Sequence, residues 1–87
     1  MSVVTDDEIA VSLDLTGLKC PLPVLKARRQ IGQMESGVLE VKADDPAAPL
    51  DFEHFCDTAG VTLLKSDAAD GIFTFHIQVG GHSRVGG

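Results

Sequence analysis

Apolar residues recur along this chain with two different periods. From Ile9 to Leu15, Ile9, Val11, Leu13 and Leu15 alternate with polar or small residues, the period of a half-buried strand. Thr16-Gly17 breaks the pattern. From Pro21, the residues Val24, Ala27, Ile31 and Met34 fall at i, i+3, i+7 and i+10, one face of a helix, with a last turn near Glu35 and Gly37 as its stop. Val38 to Ala43 reads as a second strand. In the next apolar stretch Phe52, Phe55, Cys56 and Ala59 share a helical face, Pro49 suits the first turn of that helix, and Gly60 suits its left-handed end. "VTLLKS", the turn "DAADG" and "IFTFHIQV" then predict a hairpin, with Phe73, Phe75, Ile77 and Val79 on one side of the last strand and Thr74, His76 and Gln78 on the other.

The element order is therefore β-α-β-α-β-β. Strand-helix-strand units favour parallel neighbours and right-handed crossovers, and the short last connection forces an antiparallel pair. The fold class expected is an α/β (α+β) two-layer sandwich: a four-stranded mixed sheet with two helices on one face and the other face open to solvent. Residues 1–87 are read as one domain, with a core over about 9–81 and a flexible tail over 82–87.

Composition narrows the class. With 44% hydrophobic and 23% charged residues the chain is too apolar for a disordered segment. No apolar run is long enough to span a bilayer, and "MSVVTDDEIA" carries acids where a secretory signal is basic, so a cytoplasmic protein with no membrane association is expected. Two cysteines thirty-six positions apart fit neither a disulfide framework nor a zinc site. No metal and no cofactor is expected. The net charge of −6 falls mainly on residues 44 to 87, which argues against stable nucleic-acid binding. Four of the seven basic residues, Lys19, Lys26, Arg28 and Arg29, lie within ten positions of Cys20.

That cysteine opens "CPLP". If Cys20 is the N-cap of the first helix, Pro21 takes the first helical position and Pro23 the first turn, where neither proline removes an intrahelical donor. The sulfur would then meet unpaired N–H groups and the positive end of the helix, with Lys19 alongside and Lys26 and Arg29 extending the field. This pattern predicts a thiol pKa below the ordinary value and a reactive thiolate. Leu22, Lys26 and Arg29 share the face opposite the core stripe, so Leu22 is expected to be exposed as a docking contact. A cysteine that merely packs stays open on these residues alone. Nothing in the spacing brings His54, His76 or His82 to Cys20, which disfavours a Cys-His hydrolase and leaves a thiol that accepts and passes on a group by exchange. Cys56 is read as core, and Asp44 and Asp45 as a loop with a helix-start role or a contact for a basic partner.

"LDLTGLKCPLPVLKARRQI", "VKADDPAAPLDFEHFC" and the closing "VGG" together resemble the TusA-like (SirA-like) sulfur-carrier family, defined by a Cys-Pro-x-Pro motif. The resemblance runs from about Leu13 to Gly81. It implies a β-α-β-α-β-β sandwich whose motif cysteine, here Cys20, carries a persulfide as a sulfurtransferase. It also implies a donor, a cysteine desulfurase or rhodanese, and an acceptor such as a DsrE-type carrier. The destinations implied are tRNA thiolation, molybdenum cofactor supply or dissimilatory sulfur oxidation. The variable motif position is often Glu in tRNA-thiolating members and is Leu22 here, which points to a different partner, such as one of sulfur oxidation. Two other functions compete. Val85-Gly86-Gly87 could hold sulfur as a C-terminal thiocarboxylate, although such carriers begin with a hairpin. The same element order also occurs in a ribosome-binding domain of a translation initiation factor, so a non-catalytic regulatory or binding module is the third reading.

Overall fold

A computed structural model describes residues 9–80. It contains β1 (Ile9–Asp14), α1 (Leu22–Ile31), β2 (Gly37–Ala43), α2 (Ala48–Ala59), β3 (Thr62–Ala69) and β4 (Ile72–Val79). The sheet order is β1-β2-β4-β3. β1 and β2 are parallel, and β4 pairs antiparallel with both β2 and β3. The expected four-stranded mixed sheet with two helices is what forms.

Alternation along the strands decides which face is covered. Leu39, Val41, Phe75 and Ile77 are fully buried and pack with Ala27 of α1 and with Ala48, Phe52 and Cys56 of α2. Phe52 stacks on Phe75 with ring centroids 4.7 Å apart and meets Phe55 edge-on at 6.4 Å, both favourable aromatic geometries. Ala59, expected on this face, is exposed at the end of α2, because the helix stops there. Gly60 supplies that stop: its φ of 77° is left-handed, and its N–H returns to the Cys56 carbonyl.

The pattern misplaces three boundaries. α1 ends at Ile31 rather than near Glu35. Gly32 is a poor helix residue, and the chain tightens there into i to i+3 bonds from Gln33 to Gln30 and from Met34 to Ile31. Gly37 does not stop the helix but begins β2. β3 extends to Ala69, so the turn shrinks to Asp70-Gly71, whose φ values of 55° and 80° suit a two-residue hairpin that follows the strand twist.

On the face without helices, register aligns Ser12, Glu40, His76 and Lys65 across the four strands. His76 is buried there rather than solvated. Glu40 takes a hydrogen bond from the Ser12 hydroxyl at 2.8 Å and lies 3.0 Å from His76 Nε2, which satisfies the ring. Both contacts, Ser12 first, hold the Glu40 carboxyl below the usual range.

Phe52 is the side chain that joins helix to sheet. Phe52→Ala should cost about 3–5 kcal/mol by chemical denaturation, the range for emptying a fully buried aromatic site; a cost under about 1 kcal/mol would mean that the core is held elsewhere.

Candidate functional site

Parallel pairing of β1 and β2 brings the starts of both helices to the same edge of the sheet, because each strand feeds its helix from its C-terminal end. The connection from β1 to α1 is fixed there by side chains. Asp14 accepts from the Thr16 N–H at 3.1 Å and its hydroxyl at 2.7 Å, which closes the turn after β1. Asp44 accepts from the Gly17 N–H at 3.0 Å. One oxygen of Asp45 accepts from the Cys20 N–H, and the other from the Ala47 N–H at 3.3 Å, where α2 begins. The two aspartates, read as a loop with a helix-start role or as a contact for a basic partner, tie the cysteine loop to the segment that leads into the second helix.

Cys20 does not cap α1. The Cys20–Pro21 peptide bond is cis, Pro21 is the capping residue, and no side chain bonds to the free N–H groups. The first helical bond runs from Leu25 N–H to Pro21 C=O, preceded by Leu22 N–H to Lys19 C=O. The sulfur thus sits one residue outside the helix. Pro23 is buried in the first turn, and Cys20 is exposed.

A cleft of about 300 Å³ opens beside the sulfur. Pro21 and Val24 form its α1 wall; Asp51, His54, Phe55 and Thr58 form its α2 wall. Asp51 shares this cleft with the Cys20 thiol and holds its pKa above the ordinary value, chiefly by favouring the protonated thiol as a hydrogen-bond donor; desolvation and the charges of Asp51 and Asp45 push the same way. This reverses the expected activation by the basic flank. Asp51 lines the cleft from the first turn of α2 and Asp45 holds the loop by the Cys20 N–H, whereas Lys19, Lys26 and Arg29 do not line the cleft. Lys26 and Arg29 line a separate groove on the far side of α1, with Leu13 and Leu15. Leu22 is exposed as expected.

Sequence reasoning missed Asp51 and His54. The signal for Asp51 was present: Pro49 already placed the start of α2, and the parallel β1–β2 pair puts that first turn beside the first turn of α1. Cys56 is buried, and burial pushes its thiol up to about 11, in keeping with a core residue. No cluster of three or more His, Cys, Asp or Glu side chains suited to a metal ion occurs among the described residues. No helix among them is long and apolar enough to cross a membrane.

A family model described as Sulfurtransferase TusA matches residues 11–79. The chain belongs to the TusA sulfurtransferase family. Two relatives fit that placement. A Neisseria meningitidis serogroup A protein named "Putative sulfur carrier protein" is 52% identical over 68 residues, covering 77% of this chain and 92% of its own. The sulfur carrier protein TusA of Allochromatium vinosum is 43% identical over 67 residues, covering 76% and 88%. The crystal structure of a SirA-like protein from Desulfitobacterium hafniense shares the fold, with a TM-score of 0.73, 22% identity, and coverage of 80% of this chain and 97% of that one. Both relatives carry the name sulfur carrier protein.

In this TusA-family protein the thiols should separate by access. An alkylating reagent should modify Cys20 in the native state and Cys56 only after unfolding. Asp51→Asn should move the midpoint of the Cys20 alkylation rate to lower pH, since it removes the carboxylate that favours the protonated thiol; an unmoved midpoint would separate Asp51 from the sulfur.

Proposed function

We propose that Cys20 accepts sulfane sulfur as a persulfide and passes it to a partner protein in a sulfur relay. The observation that carries this reading is the contrast between the two cysteines: one is exposed at the mouth of a cleft on a loop fixed by two aspartates, and the other is sealed in the core. A carrier needs a sulfur that two successive partners can reach and a loop that holds it at one place. It needs no acid-base pair of its own, because each partner can supply one. Pro21 and Pro23 stiffen the chain on the helix side of the sulfur. The exposed Leu22 gives a partner an apolar contact two positions from it.

Loading conserves atoms and electrons. Cys20 Sγ bonds to the outer sulfur of a donor persulfide, the donor S–S bond breaks, and the proton from Cys20 ends on the donor thiolate. Unloading is the same exchange with the acceptor thiolate attacking the outer sulfur. A cysteine desulfurase or rhodanese as donor and a DsrE-type carrier as acceptor fit this chemistry, and so do tRNA thiolation, molybdenum cofactor supply and sulfur oxidation as destinations. The names of the relatives support the carrier role and leave the partners to experiment. The competing Gly-Gly end, Val85-Gly86-Gly87, lies outside the described residues.

Intact-protein mass spectrometry after incubation with polysulfide tests the assignment. The wild type and Cys56→Ser should gain one sulfur atom that a reductant removes, and Cys20→Ser should gain none. Equal loading of Cys20→Ser would move the function to another group.

A further inference from the structure

Asp51 stands on the cleft wall next to the one atom that must react. Its position in the first turn of α2 is fixed by the helix, and the helix is fixed to the Cys20 loop through Asp45, which bonds to both. The cleft that a donor must occupy is otherwise apolar on the α1 side, where Pro21 and Val24 line it. Any sulfur donor reaching Cys20 therefore brings its own charge close to the Asp51 carboxylate, with Asp45 behind the loop. His54, one helical turn after Asp51 on the same wall, is the other titratable side chain there. Lys19 precedes the cysteine in sequence but does not line the cleft, whereas Asp51 does.

Resting on the carrier reading, we propose that Asp51 selects the sulfur donor: its carboxylate disfavours anionic sulfur compounds at Cys20 and favours a donor that carries a cationic group beside its sulfane sulfur. The step is the exchange already described, Cys20–SH and R–S–SH giving Cys20–S–SH and R–SH, and it needs no oxidant. Asp51 changes only which R group the cleft admits. The same carboxylate keeps the unloaded sulfur protonated, so a small anionic electrophile meets both a repelling charge and a weak nucleophile. A cationic group set against Asp51 lifts both restraints at once, which couples sulfur acceptance to correct docking. The cognate donor surface is thus expected to be basic, which suits a chain of net charge −6.

Two small persulfides of similar size test this, one made from cysteamine, which is cationic, and one from mercaptopropionate, which is anionic. Loading rates are measured by mass spectrometry at pH 7 in low salt for the wild type, Asp51→Asn and Asp51→Glu, with thermal melts to confirm folding. The leaving thiols differ in acidity, but that difference is common to every variant. Within one variant the thiolate fraction cancels from the ratio of the two rates. The cationic-to-anionic ratio of the wild type divided by that of Asp51→Asn therefore isolates the carboxylate. It should be about thirtyfold, the product of about fivefold attraction of the cation and about fivefold repulsion of the anion at contact distance in water, and should shrink in high salt. Asp51→Glu should keep most of it, and His54→Gln should leave it unchanged. A quotient near one, with the wild type loading normally, overturns donor selection and leaves the carrier reading intact. Failure of the wild type to load from either donor or from polysulfide overturns both.

Discussion

The Asp45 carboxylate makes the contact on which the arrangement of this site depends. Its two oxygens accept from the backbone N–H of Cys20 and from that of Ala47, so one side chain sets the distance between the cysteine loop and the start of α2. Without it the loop after β1 would keep the Asp44–Gly17 bond and the backbone bond from Leu15 N–H to the Lys42 carbonyl, both on the β2 side and neither reaching α2. The sheet supplies the reason such a bridge can exist. Parallel β1 and β2 deliver their following loops to one edge, and a side chain at the end of β2 can then reach the backbone at the end of β1. Charge on a carboxylate strengthens both bonds relative to neutral ones.

What this placement does to Cys20 runs against the simplest expectation for a cysteine near a helix start. The partial charge of a helix falls off within its first turn, and the sulfur lies outside α1, with Pro21 as cap. The α2 carboxylate is closer in effect and of opposite sign. The resting thiol is therefore protonated and exposed. For a carrier this is a coherent state. A sulfur that must wait for a partner is better protected as a thiol than as a thiolate, which oxidants and stray electrophiles attack first. Cys56 avoids the same chemistry by burial.

Much of this was legible in the chain. Alternation and helical spacing gave the six elements in order, because both faces of the sandwich are built from the apolar residues that carry those periods. An exposed Cys20, the candidate site residue, was legible from the stiff Cys-Pro-Leu-Pro stretch. The α1 boundaries were not, because they depend on which backbone bonds close around Pro21 and Gly32. His76 was read as solvent-facing from strand parity alone; its burial depends on Glu40 arriving opposite it through the β2–β4 register. The electrostatics of Cys20 were the least legible. Lys19, Lys26 and Arg29 are near in sequence, whereas Asp45 and Asp51 reach the cysteine through the fold, and proximity through the fold is what acts on a charge.

The most direct test is where sulfur sits on the protein as its own cells make it. The protein is trapped with an alkylating reagent at lysis, digested without reductant, and its peptides resolved by mass. Recovery of the Cys20 peptide with one extra, reductant-labile sulfur beneath the alkyl group is the result this account predicts. Recovery of Cys20 only as unmodified thiol, with sulfur on Cys56 or on the C-terminal glycine, would contradict it.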